Sequence, residues 1–348
     1  MKFMRRNLLA LAGAAALAAG FSAAPATAQE VTLRLHQFLP AQANVPKYVL
    51  DVWADKVEAE SDGRIKIQRF PSMQLGGTPP ELIDQAIDGI ADIIWTVAGY
   101  TPGRFPRAEV FELPFMMTNA EATSKAYWDI ASKYMLDDDF KDFHTIGVWV
   151  HGPGIIHSKE PIKTVADLNG VKLRAPTRVT NMMFSSMGAT PVGMPVPAIP
   201  EALSKGVVDA TVIPWEVAGI LKVPELVSNH TEFGDASLYT TSFIFAMNKD
   251  RYESLPDDLK KVIDDNSGLE FSAFAGKTMA AYDAPIRKIA EDRGNNIMVL
   301  TPDEVQEWRD ASAPTIDAWV KEMDEKGLDG TGLLEEAKAL IAKYTDGN

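Results

Sequence analysis

Residues 167–216 read DLNGVKLRAPTRVTNMMFSSMGATPVGMPVPAIPEALSKGVVDATVIPWE. Arg174 stands at the end of a short strand, directly before a proline turn and the start of a helix opened by Thr177. A guanidinium beside the free N–H groups of a helix start makes a two-part receptor for a carboxylate. The same stretch contains no set of residues that could easily run a reaction. It reads as a device for holding a small anion rather than transforming it.

Outward from this stretch, strand-like and helix-like patterns alternate, which predicts an α/β architecture. Val31-Thr32-Leu33-Arg34-Leu35 alternates apolar and polar residues, as a half-buried strand does. Val45, Val49, Val52, Trp53 and Val57 then recur at helical spacing, Ser61-Asp62-Gly63 stops that helix, and Ile65 and Ile67 begin a second strand. Thr78-Pro79-Pro80-Glu81 and Thr301-Pro302-Asp303-Glu304 each combine a capping Thr, a Pro in the first turn and a Glu that closes a capping box. From Asp257 to about residue 293 the pattern stays helical, with no proline until Pro285, which predicts one long helix crossing two lobes. There is also an internal echo. Pro80-Glu81 leads through a helix to Gly89-Ile90-Ala91-Asp92 and an apolar strand ending in Trp95; Pro200-Glu201 leads through a shorter helix to Gly206-Val207-Val208-Asp209 and a strand ending near Trp215. Each reads as helix, Gly C-cap, Asp at the turn and buried parallel strand, so two lobes would be built from one unit.

Composition narrows the partners. Lys2, Arg5 and Arg6, the apolar run Leu8 to Ala19, and Ala26-Thr27-Ala28 before Gln29 read as a cleaved export signal covering residues 1–28. The apolar run is short for a membrane span, so the chain is not expected to be membrane-embedded. Arg5-Arg6 resembles a twin-arginine signal without its usual Ser or Thr, which leaves the export route open. Removing 1–28 takes away three of the 34 Lys and Arg and none of the 48 Asp and Glu, so the formal charge moves from −14 to −17. Such a surface repels nucleic acid and anionic lipid, and an anion site on it must be local and preorganised. The absence of cysteine excludes disulfides, thiolate metal sites and Cys nucleophiles.

Three blocks, Asp167-Leu168-Asn169-Gly170-Val171-Lys172-Leu173-Arg174-Ala175-Pro176, Gly188-Ala189-Thr190-Pro191, and Glu201-Ala202-Leu203 through Gly206-Val207-Val208-Asp209, occur in this order. In them the chain resembles the periplasmic solute-binding subunits of tripartite ATP-independent periplasmic (TRAP) transporters, of the dicarboxylate-receptor type. Ala210 stands where that pattern usually has Gly, and the last block is one helical turn tighter. The resemblance implies a bilobal periplasmic solute-binding protein fold: two α/β lobes joined by crossing strands and a long interlobe helix. It would place 29–151 and 239–278 in one lobe and 152–238 with 279–348 in the other. It further implies a small organic acid anion as ligand, membrane permease subunits as partners, and no cofactor. The family's principal ligand contact maps onto Arg174. Sialic-acid-binding members carry a second arginine at the place of Gly154 and an Asn where Ile213 and Pro214 stand, so that pocket is not reproduced.

Other candidates follow from position. Arg178 and Asn181 lie one turn apart on the helix opened by Thr177; they could reach the ligand or form a solvated face. Trp215 and Glu216 follow a strand, at the carboxyl edge where α/β ligands bind. Trp215 could stack on the ligand or seal its lobe; Glu216 could hold a hydroxyl, an amine or a metal cation, or cap a helix. Phe38, Gln74 and Tyr100 sit in loops after the first three strands, on the same edge. Tyr239 belongs to a segment expected to cross between lobes. His151 could line the cleft or serve the fold; none of the five histidines shows metal-site spacing. The absent second arginine, with Trp215, Phe38 and Tyr100, tilts the ligand toward a monocarboxylate with an apolar or aromatic body. A C4-dicarboxylate held also by Arg178 or Arg104 stands as the alternative. A periplasmic hydrolase is the rival class, but there is no G-x-S-x-G, no H-E-x-x-H and no phosphate loop. A ligand sensor for a signalling partner is a third reading.

Overall fold

A computed structural model describes residues 30–347; the export signal expected at 1–28 lies outside the described residues. The strands form two sheets. The first is ordered β2 (Ile65–Phe70), β1 (Val31–His36), β3 (Ile93–Val97), β10 (Ser242–Asn248), β4 (Phe143–Val150). The second is ordered β11 (Asn296–Val299), β9 (Asn229–Glu232), β5 (Ile155–Ser158), β8 (Ala210–Ile213), β6 (Lys172–Ala175), β7 (Thr190–Gly193). In the first sheet β1 is parallel to β2 and β3, and in the second β6 is parallel to β7 and β8. The strands that cross over pair antiparallel: β10 with β3 and β4, and β5 with β8 and β9.

The internal echo is real down to its hydrogen bonds. The helices Leu82–Ile87 and Ile199–Ser204 lead through Gly89 (φ 70°) and Gly206 (φ 69°) into β3 and β8. Glycine is needed there because the chain turns through the left-handed region. The next acidic residue then ties each strand to its parallel neighbour: Asp92 N donates to Arg34 O and Asp209 N to Lys172 O, while each carboxylate accepts the backbone N–H of that same partner. Both capping boxes foreseen at Thr78 and Thr301 are present.

Two extended segments pass between the sheets, 151–154 after β4 and 233–241 before β10, and the helical stretch between β10 and β11 makes a third passage. The two extended crossings are bonded to each other, Gly154 N to Tyr239 O at 3.0 Å and Thr240 Oγ1 to His151 O at 2.8 Å. The single long helix expected after Asp257 is instead three, Asp257–Asp265, Leu269–Ala281 and Asp283–Asp292. Gly268 (φ 89°) breaks the first junction and Tyr282 the second. The last two still make the crossing, because Leu269–Ala281 packs on Ala120–Tyr134 and β4, and Asp283–Asp292 on Trp215–Ile220. The C-terminal helix Gly330–Asp346 packs on Ala120–Tyr134 beside the first sheet, through Tyr344–Asp129 and Lys133–Glu336, although the expected division grouped 279–348 with the second lobe.

Candidate functional site

The carboxyl ends of the parallel strands of both sheets face one pocket with about 430 Å³ of space free of protein atoms, part of it open to solvent. Phe38, Trp95, Val97, Tyr100 and Phe243 reach it from the first sheet; Arg174, Pro176, Ile213, Pro214 and Glu216 from the second; His151, Tyr239 and Thr241 from the crossings. The walls are aromatic. Phe38 stacks on Trp95 at 4.6 Å between ring centroids, Phe243 on Trp95 at 5.4 Å, and Tyr100 meets Phe38 edge-on.

Arg174 is fully buried. Strand β6 delivers it, and Pro176 ends the ladder because it has no N–H to donate. Its Nε donates to Met194 O at 2.9 Å and its Nη1 to Val212 O at 3.1 Å, so the neighbouring strands fix its direction. Nη2 has no partner. Among the described residues no carboxylate lies within ion-pair distance of it. Burial lowers its pKa, and the hydroxyls of Tyr100 and Tyr239 stand near enough to oppose this without meeting the geometry of a hydrogen bond to Nη2. A buried cation without a counter-ion is costly until an anion arrives. The helix start contributes less than the sequence suggested. Thr177 and Thr180 satisfy it with their own side chains, and residues 177–180 do not border the cavity.

His151 is neutral. Its Nδ1–H donates to Gly152 O and its Nε2 accepts from the Thr241 hydroxyl at 3.0 Å, while burial and the nearby Arg174 charge hold its pKa down to about 4. Glu216, 2 % exposed, has an unpartnered Oε2; burial first, and then the charge of Asp283, push its pKa up to about 8. Its backbone N–H donates to Asp283 Oδ1 at 2.8 Å and its carbonyl accepts from Asn44 across the cleft at 3.3 Å.

Six of the sequence candidates therefore converge on the cavity: Phe38, Tyr100, His151, Arg174, Glu216 and Tyr239. Four stand elsewhere. Trp215 turns into its own lobe, where its indole N–H donates to Glu232 at 2.7 Å and its ring packs on His157 and His230. Arg178 bridges the two lobes by pairing with Glu109 and Glu322 and does not line the cavity. Asn181 donates back to Thr177 O at 2.5 Å, and Gln74 is exposed in the turn after β2. Trp95, in a strand the sequence marked out, and Phe243, in β10, were missed as cavity residues. Among the described residues no group of three His, Asp or Glu could hold a metal ion.

Gly154 explains why a second arginine is absent. A Cβ there would lie 2.2 Å from the Tyr239 ring. Gly154→Ala is therefore expected to push Tyr239 toward the cavity, costing about 1–3 kcal/mol of stability and weakening ligand binding. Thermal unfolding with and without ligand reads both; an unchanged melting temperature and affinity would show that Tyr239 yields freely.

Two α/β lobes closing on one fixed guanidinium define a binding protein for an anion. Residues 36–322 match the family described as bacterial extracellular solute-binding protein, family 7, and the chain belongs to it; it is a TRAP-type solute-binding subunit. A TRAP solute-binding protein from Rhodoferax ferrireducens, whose crystals hold copurified benzoate, is 51 % identical, with a TM-score of 0.89 over 90 % of this chain and 98 % of that one. One from a marine metagenome, specific for aromatic acid ligands and solved with meta-hydroxyphenylacetate, is 49 % identical (TM-score 0.88, 90 % and 99 % covered). A third, from Bordetella bronchiseptica with bound mandelate, is 28 % identical (TM-score 0.83, 90 % and 99 % covered).

Proposed function

We propose that the protein is a periplasmic receptor for aromatic monocarboxylates, which it captures between its lobes and delivers to the permease subunits of a TRAP transporter. The observation that carries this reading is the unpartnered Nη2 of the buried Arg174 in a cavity walled by Phe38, Trp95, Tyr100, Tyr239 and Phe243. An aromatic acid matches both parts: its carboxylate supplies the missing counter-charge and its ring the apolar contact. The ligands of the relatives, benzoate, meta-hydroxyphenylacetate and mandelate, support the same class. A C4-dicarboxylate fits less well. Among the described residues Arg174 is the one cationic side chain lining the cavity, Arg178 and Arg104 being engaged with Glu109 and Asp84, so a second carboxylate would find no cation to pair with.

A thermal-shift screen tests this. Benzoate, phenylacetate and mandelate at a hundred times their dissociation constants should stabilise the protein by about 2.7 kcal/mol, several degrees of melting temperature, and succinate by much less. Stabilisation by succinate alone would assign the receptor to dicarboxylates.

A further inference from the structure

The cavity has a second polar end that the carboxylate of an aromatic acid does not use. Among the described residues Glu216 is, apart from Arg174, the one acidic or basic side chain other than the neutral His151 that lines it. The two come from neighbouring strands, Arg174 from β6 and Glu216 from just past β8, yet they form no ion pair, and neither contributes to the shift of the other's pKa. Each keeps one buried polar atom without a partner, Nη2 and Oε2. A buried carboxyl oxygen left unpaired is costly, and a ligand group that pairs with it recovers that cost.

The neighbours of Glu216 restrict what that group can be. Asp283 stands against it on the helix Asp283–Asp292, Asn44 reaches it from the first lobe, and beyond Asp283 lie Glu232 and Arg287, bonded to each other. No cation faces it. A metal ion lacks the further acidic or imidazole ligands it would need. A second carboxylate on the ligand could pair with Glu216 only while Glu216 keeps its proton, and would be repelled once Glu216 or Asp283 ionises. A hydroxyl satisfies the site in either protonation state of Glu216, because it both donates and accepts.

We propose that Glu216 is the specificity-determining residue of the pocket, reading a hydroxyl on the body of an acid whose carboxylate Arg174 holds. The inference rests on the aromatic-acid reading above and narrows it to hydroxylated ring acids. A site built to pair a substrate hydroxyl discriminates strongly against the analogue that lacks it, because its own polar group is then left unsatisfied.

Calorimetric titration of the mature wild-type protein with benzoate, 3-hydroxybenzoate, 4-hydroxybenzoate and 3-aminobenzoate provides the test, with Glu216→Gln and Glu216→Leu alongside. One of the hydroxybenzoates should bind at least about tenfold more tightly than benzoate. Glu216→Gln, which can still donate and accept, should keep most of that ratio, and Glu216→Leu should abolish it. The ratio is the readout because a change in overall packing moves both ligands together. Equal affinities for benzoate and both hydroxybenzoates, a ratio untouched by Glu216→Leu, or a preference for 3-aminobenzoate over both would overturn the assignment. If no aromatic acid binds the wild type, it is the aromatic-acid reading itself that fails.

Discussion

Replacing Arg174 by methionine is expected to abolish measurable binding of aromatic acids while leaving the fold intact. In the closed cavity the carboxylate would be cut off from water, so its charged hydrogen bonds to Arg174 act in a low dielectric. Removing one partner of such a pair costs about 2–5 kcal/mol, roughly thirty-fold to several thousand-fold in affinity. The unliganded protein is affected in the opposite sense. Arg174 is fully buried without a carboxylate partner, and its burial disfavours the charge. Methionine fills a similar length without that charge, at the loss of the donors to Met194 O and Val212 O. These opposing effects leave the melting temperature close to wild type or above it, whereas the ligand-induced shift disappears. Arg174→Lys keeps the charge but loses the planar fork, and should retain only part of the affinity. Calorimetry and thermal unfolding on the same preparations read both effects. Near-normal affinity in Arg174→Met would remove the guanidinium from the site.

The different fates of the candidates show where sequence alone carries information. Arg174 was legible because its environment is local: a strand, a proline and a capping Thr, all within four residues. The parallel units were legible for the same reason, since helix, Gly, Asp and strand follow one another along the chain. Trp215 and Glu216 were not separable, because both follow β8 and only the first turn of the helix Trp215–Ile220 decides which side chain faces which way. The indole is drawn inward by Glu232, seventeen residues later. Arg178 is bound by Glu109 and Glu322, which are 69 and 144 residues distant and leave no mark on the sequence around it. The break at Gly268 was hidden differently: the helices on either side keep burying apolar residues, Leu259 and Ile263 before it and Phe271, Ala275 and Met279 after it, so the periodicity runs through the gap.

Ligand capture is also expected to draw a proton from solution near neutral pH. With the cleft open, Glu216 would be hydrated and would titrate near the ordinary carboxylate value of about 4.3. In the closed cavity burial, and then the Asp283 charge, push it up to about 8. The closed form therefore holds the proton more tightly than the open form. The contribution to closure is complete below the lower value, weakens as the pH rises, and is lost once the pH passes about 8. Asp283, itself pushed up to about 7 by burial and then by the Glu232 charge, faces Glu216 within the second lobe; Met279 and Val217 add only apolar surface, and among the described residues Asn44 is the polar group bonded to Glu216 from the first lobe. One group titrating in this window changes the affinity by at most about tenfold per pH unit, falling toward alkaline pH. Calorimetric titration with benzoate at pH 7, in two buffers of different ionisation enthalpy, should show uptake of close to one proton per ligand, and Glu216→Gln should bring it near zero. Uptake that persists in Glu216→Gln would move the coupling to Glu112, buried beneath Ser242 and pushed up to about 7. No uptake in the wild type would mean that Glu216 enters the closed cavity already in its final protonation state, and that ring contact and the Arg174 pair act without proton linkage.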